Sequence, residues 1–296
     1  MSYKTGFIAV IGRPNVGKST LINQFIGQKL TITSHRPQTT RHRIHAVDTK
    51  ADCQMIFIDT PGIHMSNKKA LNSYMNKVAS NALKDVDVVL WLVEIGRWTR
   101  EDNLVLEHIS KLNTPVILLI NKIDKFKNKD DILIYINNLK DKYNAKDYIP
   151  ISAFNNKDID YLRKKIIDFL PNQKAFFTKD YITDRSTKFL AAEFIREKLM
   201  RNLAKELPYG LTVEIEKFEF DKLKKIYRIY ALILVEKASQ KSIVIGKQGE
   251  VLKKVGTDAR YSIERLLQER TVLKLWVKVK TGWADDKRAL QSLGYD

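Results

Sequence analysis

Short apolar runs bounded by polar segments recur through residues 1–170: residues 7–11, 55–58, 86–93, 116–120 and 148–151 are almost continuously aliphatic or aromatic. Runs of this length without polar alternation are the pattern of strands buried on both faces, as in a parallel sheet lying between layers of helix. Residues 18–26, 68–84, 101–111, 130–143 and 159–169 carry apolar positions at helical spacing, so the pattern predicts helices covering that sheet. One more strand is needed near residues 43–48, where the pattern is too weak to place it. Pro171 opens the polar stretch Asn172-Gln173-Lys174, which has the composition of a boundary. Beyond it the order changes to a helix over 184–203, alternating strands over 211–220 and 227–235, helical segments on either side of residue 246, and a strand over 272–279. The expected organisation is therefore a wound α/β domain over residues 1–172 and an α+β domain over residues 173–296.

Composition is consistent with two cores: the chain has 296 residues, 44% of them hydrophobic, enough for two domains of ordinary size. The single cysteine, Cys53, rules out an internal disulfide and sits in an apolar run, where it reads as a small buried hydrophobe in a reducing compartment. The start of the sequence runs into a strand without a charged leader, and apolar runs such as residues 88–93 and 116–120 are far short of the roughly 20 needed to cross a bilayer. A cytoplasmic protein is expected. The formal net charge is +18, from 52 Lys and Arg against 34 Asp and Glu, which suits a polyanionic partner. The excess is spread over both halves, with 28 basic and 18 acidic residues in 1–180 and 24 and 16 in 181–296. Charge by itself therefore does not locate a binding surface.

Motifs do. Gly12-Arg13-Pro14-Asn15-Val16-Gly17-Lys18-Ser19, followed by Thr20, joins the first strand to the first helix in the G-x-x-x-x-G-K-[ST] pattern of a phosphate-binding loop, so the first domain reads as a P-loop NTPase with a mostly parallel sheet. Glycines there let backbone N–H groups face the phosphates, and the following helix points its positive end at them. Lys18 would reach the β- and γ-phosphates and the Ser19 hydroxyl would hold Mg²⁺. The base is read elsewhere. Asn121-Lys122-Ile123-Asp124 follows the strand at 116–120, on the ligand-binding edge of a parallel sheet. The Asp124 carboxylate can accept from both N1–H and the N2 amine of guanine, a donor pair adenine lacks. The Asn121 amide can serve the opposite edge of the base, and Lys122 can lie across the ring. Asp59-Thr60-Pro61-Gly62 also follows a strand. There Asp59 can hold Mg²⁺ through water and the Gly62 N–H can sense the γ-phosphate. Each of the last two motifs has an ordinary alternative, an Asp helix cap or a Pro-Gly turn, but three in the correct order, each at a strand end, are far more specific than any one.

In the second half, Gly246-Lys247-Gln248-Gly249 places a G-x-x-G turn between helical segments, the arrangement by which KH domains clamp about four nucleotides. Residues 237–260 hold six basic side chains, including Lys241, Lys247, Lys253 and Lys254, against two acidic ones. The element order from 184 to 279 is that of a type II KH domain. Ile243, Val244, Ile245, Val251 and Leu252 would line a groove or fill the core, and core is the commoner fate.

Together the nucleotide motifs resemble the translation-factor-related small GTPases, and residues 31–43, Thr31-Ile32-Thr33-Ser34-His35-Arg36-Pro37-Gln38-Thr39-Thr40-Arg41-His42-Arg43, resemble the first switch of the bacterial Era GTPases. The resemblance extends over nearly the whole chain, through Asp180-Tyr181-Ile182-Thr183-Asp184-Arg185, Ile195-Arg196-Glu197-Lys198-Leu199, Glu206-Leu207-Pro208-Tyr209, Leu275-Trp276-Val277-Lys278-Val279-Lys280 and Gly282-Trp283-Ala284-Asp285-Asp286. It implies hydrolysis of GTP to GDP with Mg²⁺, and a switch threonine at Thr40, although the sequence does not decide between Thr40 and Thr39. It implies that Ser152 and Ala153 support the guanine. It also implies that Lys18, Thr40, Asn15 and Gly62 act in catalysis, with Asn15 marking activation by K⁺. Ile63 stands where Ras-like enzymes orient water with Gln, so slow hydrolysis is expected. The implied partners are the 3′ end of small-subunit (16S) ribosomal RNA and the small (30S) subunit, whose maturation the protein would serve as a monomer. Peripheral contact with the inner face of the cell membrane is also implied. The rivals are a membrane-signalling GTPase and an RNA chaperone with a vestigial nucleotide site.

Overall fold

β1 (Lys4–Ile11) is the axis of the first unit, and its buried aliphatic side chains explain why it lies inside the sheet. In this computed structural model, which describes residues 2–34, 36, 38–62, 70–126, 128–203 and 210–295, β1 pairs in parallel with β3 (Cys53–Asp59) on one side and β4 (Val88–Glu94) on the other. β5 (Val116–Asn121) and β6 (Asp147–Ile151) continue the parallel sheet. The strand that the sequence leaves unplaced is β2 (Ile44–Thr49), antiparallel to β3 at the sheet edge, giving the order β2-β3-β1-β4-β5-β6. β3 and β4 are buried along their whole length, as their unbroken apolar runs predict.

The connecting helices are α1 (Lys18–Ile26), α2 (Ala70–Asn81), α3 (Arg100–Ile109), α4 (Lys129–Lys140) and α5 (Asn156–Ile167). Most end on local signals. Gly27 closes α1 at φ 75°, donating its N–H to Asn23 and Gln24, and the Asn155 side chain caps α5. Of the predicted helix over 68–84, residues 68 and 69 lie outside the described residues, and α2 spans Ala70–Asn81. One face of the sheet packs Trp91, Val93, Val105, Ile109 and Leu118 into a core.

The second unit is built from α6 (Thr187–Asn202), β7 (Leu211–Asp221), β8 (Ile226–Val235), α7 (Ala238–Ile245), α8 (Glu250–Leu267), β9 (Arg270–Val279) and α9 (Lys287–Ser292). β7 and β8 run antiparallel, β8 and β9 parallel. This is the α+β KH topology the sequence predicts. Its core joins Phe194, Ile195 and Leu199 of α6 to Ile229, Ile233, Val255 and Ile263.

Packing divides the chain into Met1–Thr31, Thr40–Lys68 and Asn72–Asp184 as one unit and Ile32–Thr39, Lys69–Leu71 and Arg185–Asp296 as the other. Residues 173–184, expected with the second domain, thus pack with the first. The Ile182 carbonyl accepts from Val47 N–H at 2.8 Å, and the Asp184 carboxylate accepts from His45 N–H at 2.9 Å. Ile32 belongs to the apolar core of the second unit. Among the described residues no helix is long and apolar enough to cross a membrane.

Candidate functional site

The loop between β1 and α1 is shaped by three positive-φ residues, Gly12 (144°), Asn15 (66°) and Gly17 (111°). Asn is among the few side chains that tolerate that region. A Cβ at Gly12 would lie 2.5 Å from the Leu92 carbonyl oxygen, and one at Gly17 2.2 Å from Asn121 Nδ2, so both positions exclude any larger residue. Lys18 is buried and donates its ammonium to the Gly12 and Arg13 carbonyls, each at 3.0 Å. Burial pushes its pKa down to about 8, against the pull of Asp59.

Beside this cradle the Ser19 hydroxyl lies 3.1 Å from both Thr40 Oγ1 and Asp59 Oδ2, and Thr40 donates to the same carboxylate oxygen at 3.4 Å. The other oxygen, Asp59 Oδ1, is buried and has no hydrogen-bond partner among the described residues. Burial pushes this carboxyl up to about 6, opposed by Lys18 and by hydrogen bonds from Ser19, Thr40 and Thr60. Two hydroxyls and a carboxylate with an orphaned oxygen form a hard-oxygen set that fits Mg²⁺. The Thr39 hydroxyl is turned elsewhere, donating to the Arg36 carbonyl at 2.6 Å and lying 3.0 Å from the Ser34 hydroxyl. It is Thr40, not Thr39, whose hydroxyl reaches Ser19 and Asp59.

Thr60 donates to the Val10 carbonyl at 2.9 Å. Gly62 lies against Pro14, so close that a Cβ there would sit 2.9 Å from the Pro14 nitrogen. Position 63, expected to bear on water positioning, is outside the described residues.

The residues expected to read guanine lie at the ends of β5 and β6. The Asn121 amide also binds protein, Nδ2 donating to the Val16 carbonyl at 2.7 Å and Oδ1 accepting from Ala153 N–H at 3.0 Å. It therefore joins the phosphate loop to the loop after β6. Asp158 accepts from Ser152 N–H at 2.7 Å and so fixes that last loop. Lys122 adopts a left-handed φ of 69°. Asp124, the middle residue of the turn Ile123–Lys125, is exposed.

Sequence reasoning missed a buried charged cluster next to these motifs. Glu94, the last residue of β4, accepts from Arg13 at 2.8 Å and pairs with Lys122 at 3.0 Å and Lys125 at 3.1 Å. Burial would raise its pKa, but hydrogen bonds from Lys122, Arg13 and Lys125 prevail and hold it at about 2. Asp102, fully buried, accepts from Arg13 Nε at 3.1 Å and from Thr99 N–H at 2.9 Å. Burial raises its pKa against those bonds. The Thr99-x-x-Asp102 spacing is a helix-start signal, which explains Asp102 locally and hides its second partner.

In the second unit, α7 ends at Gly246 (φ 76°) and the turn Lys247–Gly249 leads into α8. Gln248 (φ 52°) and Gly249 (φ 80°) are also left-handed. A Cβ at Gly246 would meet Val251 at 2.5 Å, whereas Gly249 has open space around it. Lys241, Lys247, Lys253 and Lys254 are exposed around the turn. Val244 is buried and Ile245, Val251 and Leu252 pack on the core, while Ile243 is 46% exposed. Within the same unit the segment Ile32–Thr39 is held by α6. Glu197 accepts from Thr33 N–H at 3.0 Å, Arg201 donates to the Thr33 carbonyl at 2.9 Å, and Arg196 donates to the Thr39 carbonyl.

Comparison with known proteins matches this geometry. The 50S ribosome-binding GTPase family matches residues 7–122 and the KH domain family residues 206–284. GTPase Era of Vibrio vulnificus strain YJ016 is 50% identical over 290 residues, covering 98% of this chain and 91% of its own. GTPase Era of Pseudomonas fluorescens is 51% identical over 292 residues, 99% and 97% of the two chains. Among solved structures, Aquifex aeolicus Era bound to GDP and AlF4⁻ aligns over 99% of both chains at 36% identity with a TM-score of 0.95. An Era complex with MgGDPNP and nucleotides 1506–1542 of 16S ribosomal RNA aligns equally well, with the same coverage, identity and TM-score.

Proposed function

Because this chain belongs to the Era family of GTPases, and so hydrolyses GTP to GDP and phosphate, we propose that its KH unit engages the 3′ end of small-subunit ribosomal RNA. GTP binding and hydrolysis switch that engagement during assembly and maturation of the small (30S) subunit. The observation that carries the switch lies on two sides of one peptide bond. Thr40 turns its hydroxyl to Ser19 and Asp59, while the carbonyl of Thr39 accepts from Arg196 and Ile32–Thr39 packs as part of the second unit. A nucleotide that changes Thr40 therefore acts on a chain segment that α6 of the KH unit holds at Thr33 and Thr39. The exposed lysines around a glycine turn at Lys247–Gly249 supply the phosphate-clamping chemistry.

In the reaction, the phosphate loop holds the nucleotide through its backbone N–H groups. Lys18 exchanges its carbonyl partners for phosphate oxygens, and Asp124 selects guanine. Bound at Ser19, Thr40 and Asp59, Mg²⁺ would neutralise charge developing on the phosphates. Gly62 approaches the γ-phosphate where a larger residue would strike Pro14. Asn15 in its left-handed conformation is the residue we assign to K⁺-dependent activation. Equal GTPase rates in KCl and NaCl would remove that assignment.

Titrating an RNA carrying the small-subunit rRNA 3′ end into protein loaded with a GTP analogue or with GDP tests the switch, which ends if the two affinities coincide. The same preparation in liposome flotation tests peripheral membrane contact, the other use of a net charge of +18. A cytoplasmic monomer is the form we propose acts.

A further inference from the structure

The carboxylate of Glu94 sits where β4 ends, in register with Asn121 at the end of β5. Its two oxygens have different clients. Oε2 accepts from Arg13 Nη2 of the phosphate loop at 2.8 Å, and Oε1 pairs with Lys122 Nζ at 3.0 Å and with Lys125 Nζ at 3.1 Å. Arg13 is 4% exposed, and its Nε donates to Asp102 at 3.1 Å. Its guanidinium is therefore an anchor turned into the protein. Lys125 is the outer member, with a side chain 58% exposed, whereas Lys122 is 23% exposed. A buried carboxylate is costly unless fully paired, so the cluster holds its members in place before any nucleotide arrives.

We propose that Glu94 is a positioning residue for nucleotide recognition: one oxygen fixes Arg13 of the phosphate loop and the other fixes Lys122 of the base-reading loop, locking the two halves of the pocket in register. This rests on the reading of residues 12–19 and 121–124 as one guanine-nucleotide site. Its physical content is preorganisation. A lysine whose ammonium is already held lays its apolar stem across the base without the ordering cost that a free rotamer would incur on binding.

The test is a double-mutant cycle on the full chain, read as the release rate of a fluorescent GDP in stopped flow, with thermal unfolding as the control for folding. Glu94→Gln and Lys122→Met, the latter keeping the stem but not the ammonium, are each expected to speed release on the order of tenfold, the scale of one charge-assisted hydrogen bond. The double variant is expected to release no faster than the faster single one, because both remove the same link. Asp102→Asn, which loosens Arg13 but leaves the Lys122 pair intact, is expected to multiply with Lys122→Met. Multiplying effects of Glu94→Gln and Lys122→Met, or unchanged release from a folded Glu94→Gln, would overturn the proposal. Should Glu94→Gln fail to fold, Glu94→Asp keeps the charge while shortening the reach, and the same cycle with Lys122→Met decides. A parent protein that takes up no GDP would instead bring down the underlying site reading.

Discussion

The side-chain amide of Asn121 bridges two loops, donating to the Val16 carbonyl at 2.7 Å and accepting from Ala153 N–H at 3.0 Å. A residue read from sequence as a base contact is thereby also the tie between the phosphate loop and the loop after β6. Asn121→Ala orphans a carbonyl and an N–H in a buried setting, a loss of about 1–3 kcal/mol. Denaturant unfolding is expected to show that loss, and GDP titration at least a tenfold weaker affinity on the same scale.

Gly17 and Gly27 flank α1 and separate clash from strain. Both have positive φ, but a Cβ at Gly17 meets Asn121 Nδ2 at 2.2 Å, and one at Gly27 meets nothing within 4 Å. Gly17→Ala is expected to abolish GDP binding. Gly27→Ala is expected to cost only the backbone term of about 1–2 kcal/mol, with binding retained.

The same contrast applies to the turn after α7. Gly246→Ala adds a 2.5 Å collision with Val251 to its left-handed strain, while Gly249→Ala adds none. Thermal unfolding should fall further for Gly246→Ala, and Gly249→Ala is expected to stay folded with RNA affinity as its readout.

Thr40 and Thr39 are neighbours with different partners, so alanine at each separates metal binding from local packing. Thr40→Ala, which removes a hydroxyl beside Ser19 and Asp59, is expected to slow Mg²⁺-dependent GTP hydrolysis at least ~10-fold. Thr39→Ala, whose hydroxyl serves Arg36 and Ser34, is expected to leave the rate within about threefold, the change that ~0.6 kcal/mol in the barrier would give.

Glu94 gives acid stability a definite window. Its folded pKa of about 2 lies below the ordinary 4.5, so its contribution is complete above pH 4.5 and is lost as pH falls towards 2. Parent and Glu94→Gln should therefore differ in unfolding midpoint at neutral pH, and that gap should close between pH 4.5 and about 2. A constant gap would contradict it.

The wound sheet, the KH order and the three nucleotide motifs were legible because each rests on local signals. Unbroken apolar runs mark β3, β4 and β5, and each motif follows one of the inner strands at its ligand-binding end. What the sequence by itself determined is therefore which residues are candidates for the chemistry and on which elements they lie. Three things were decided only by tertiary structure. β2 is a strand because it pairs with β3, its own pattern being too weak to declare it. Ile32–Thr39 packs with α6, through Glu197, Arg196 and Arg201, some 160 positions away along the chain. Arg13 meets Glu94 and Asp102 across 81 and 89 positions, a meeting made by the adjacency of β1 and β4. Periodicity and spacing report how a segment folds against its own neighbours, whereas a buried charge finds its partner only once the sheet order has brought distant strand ends together.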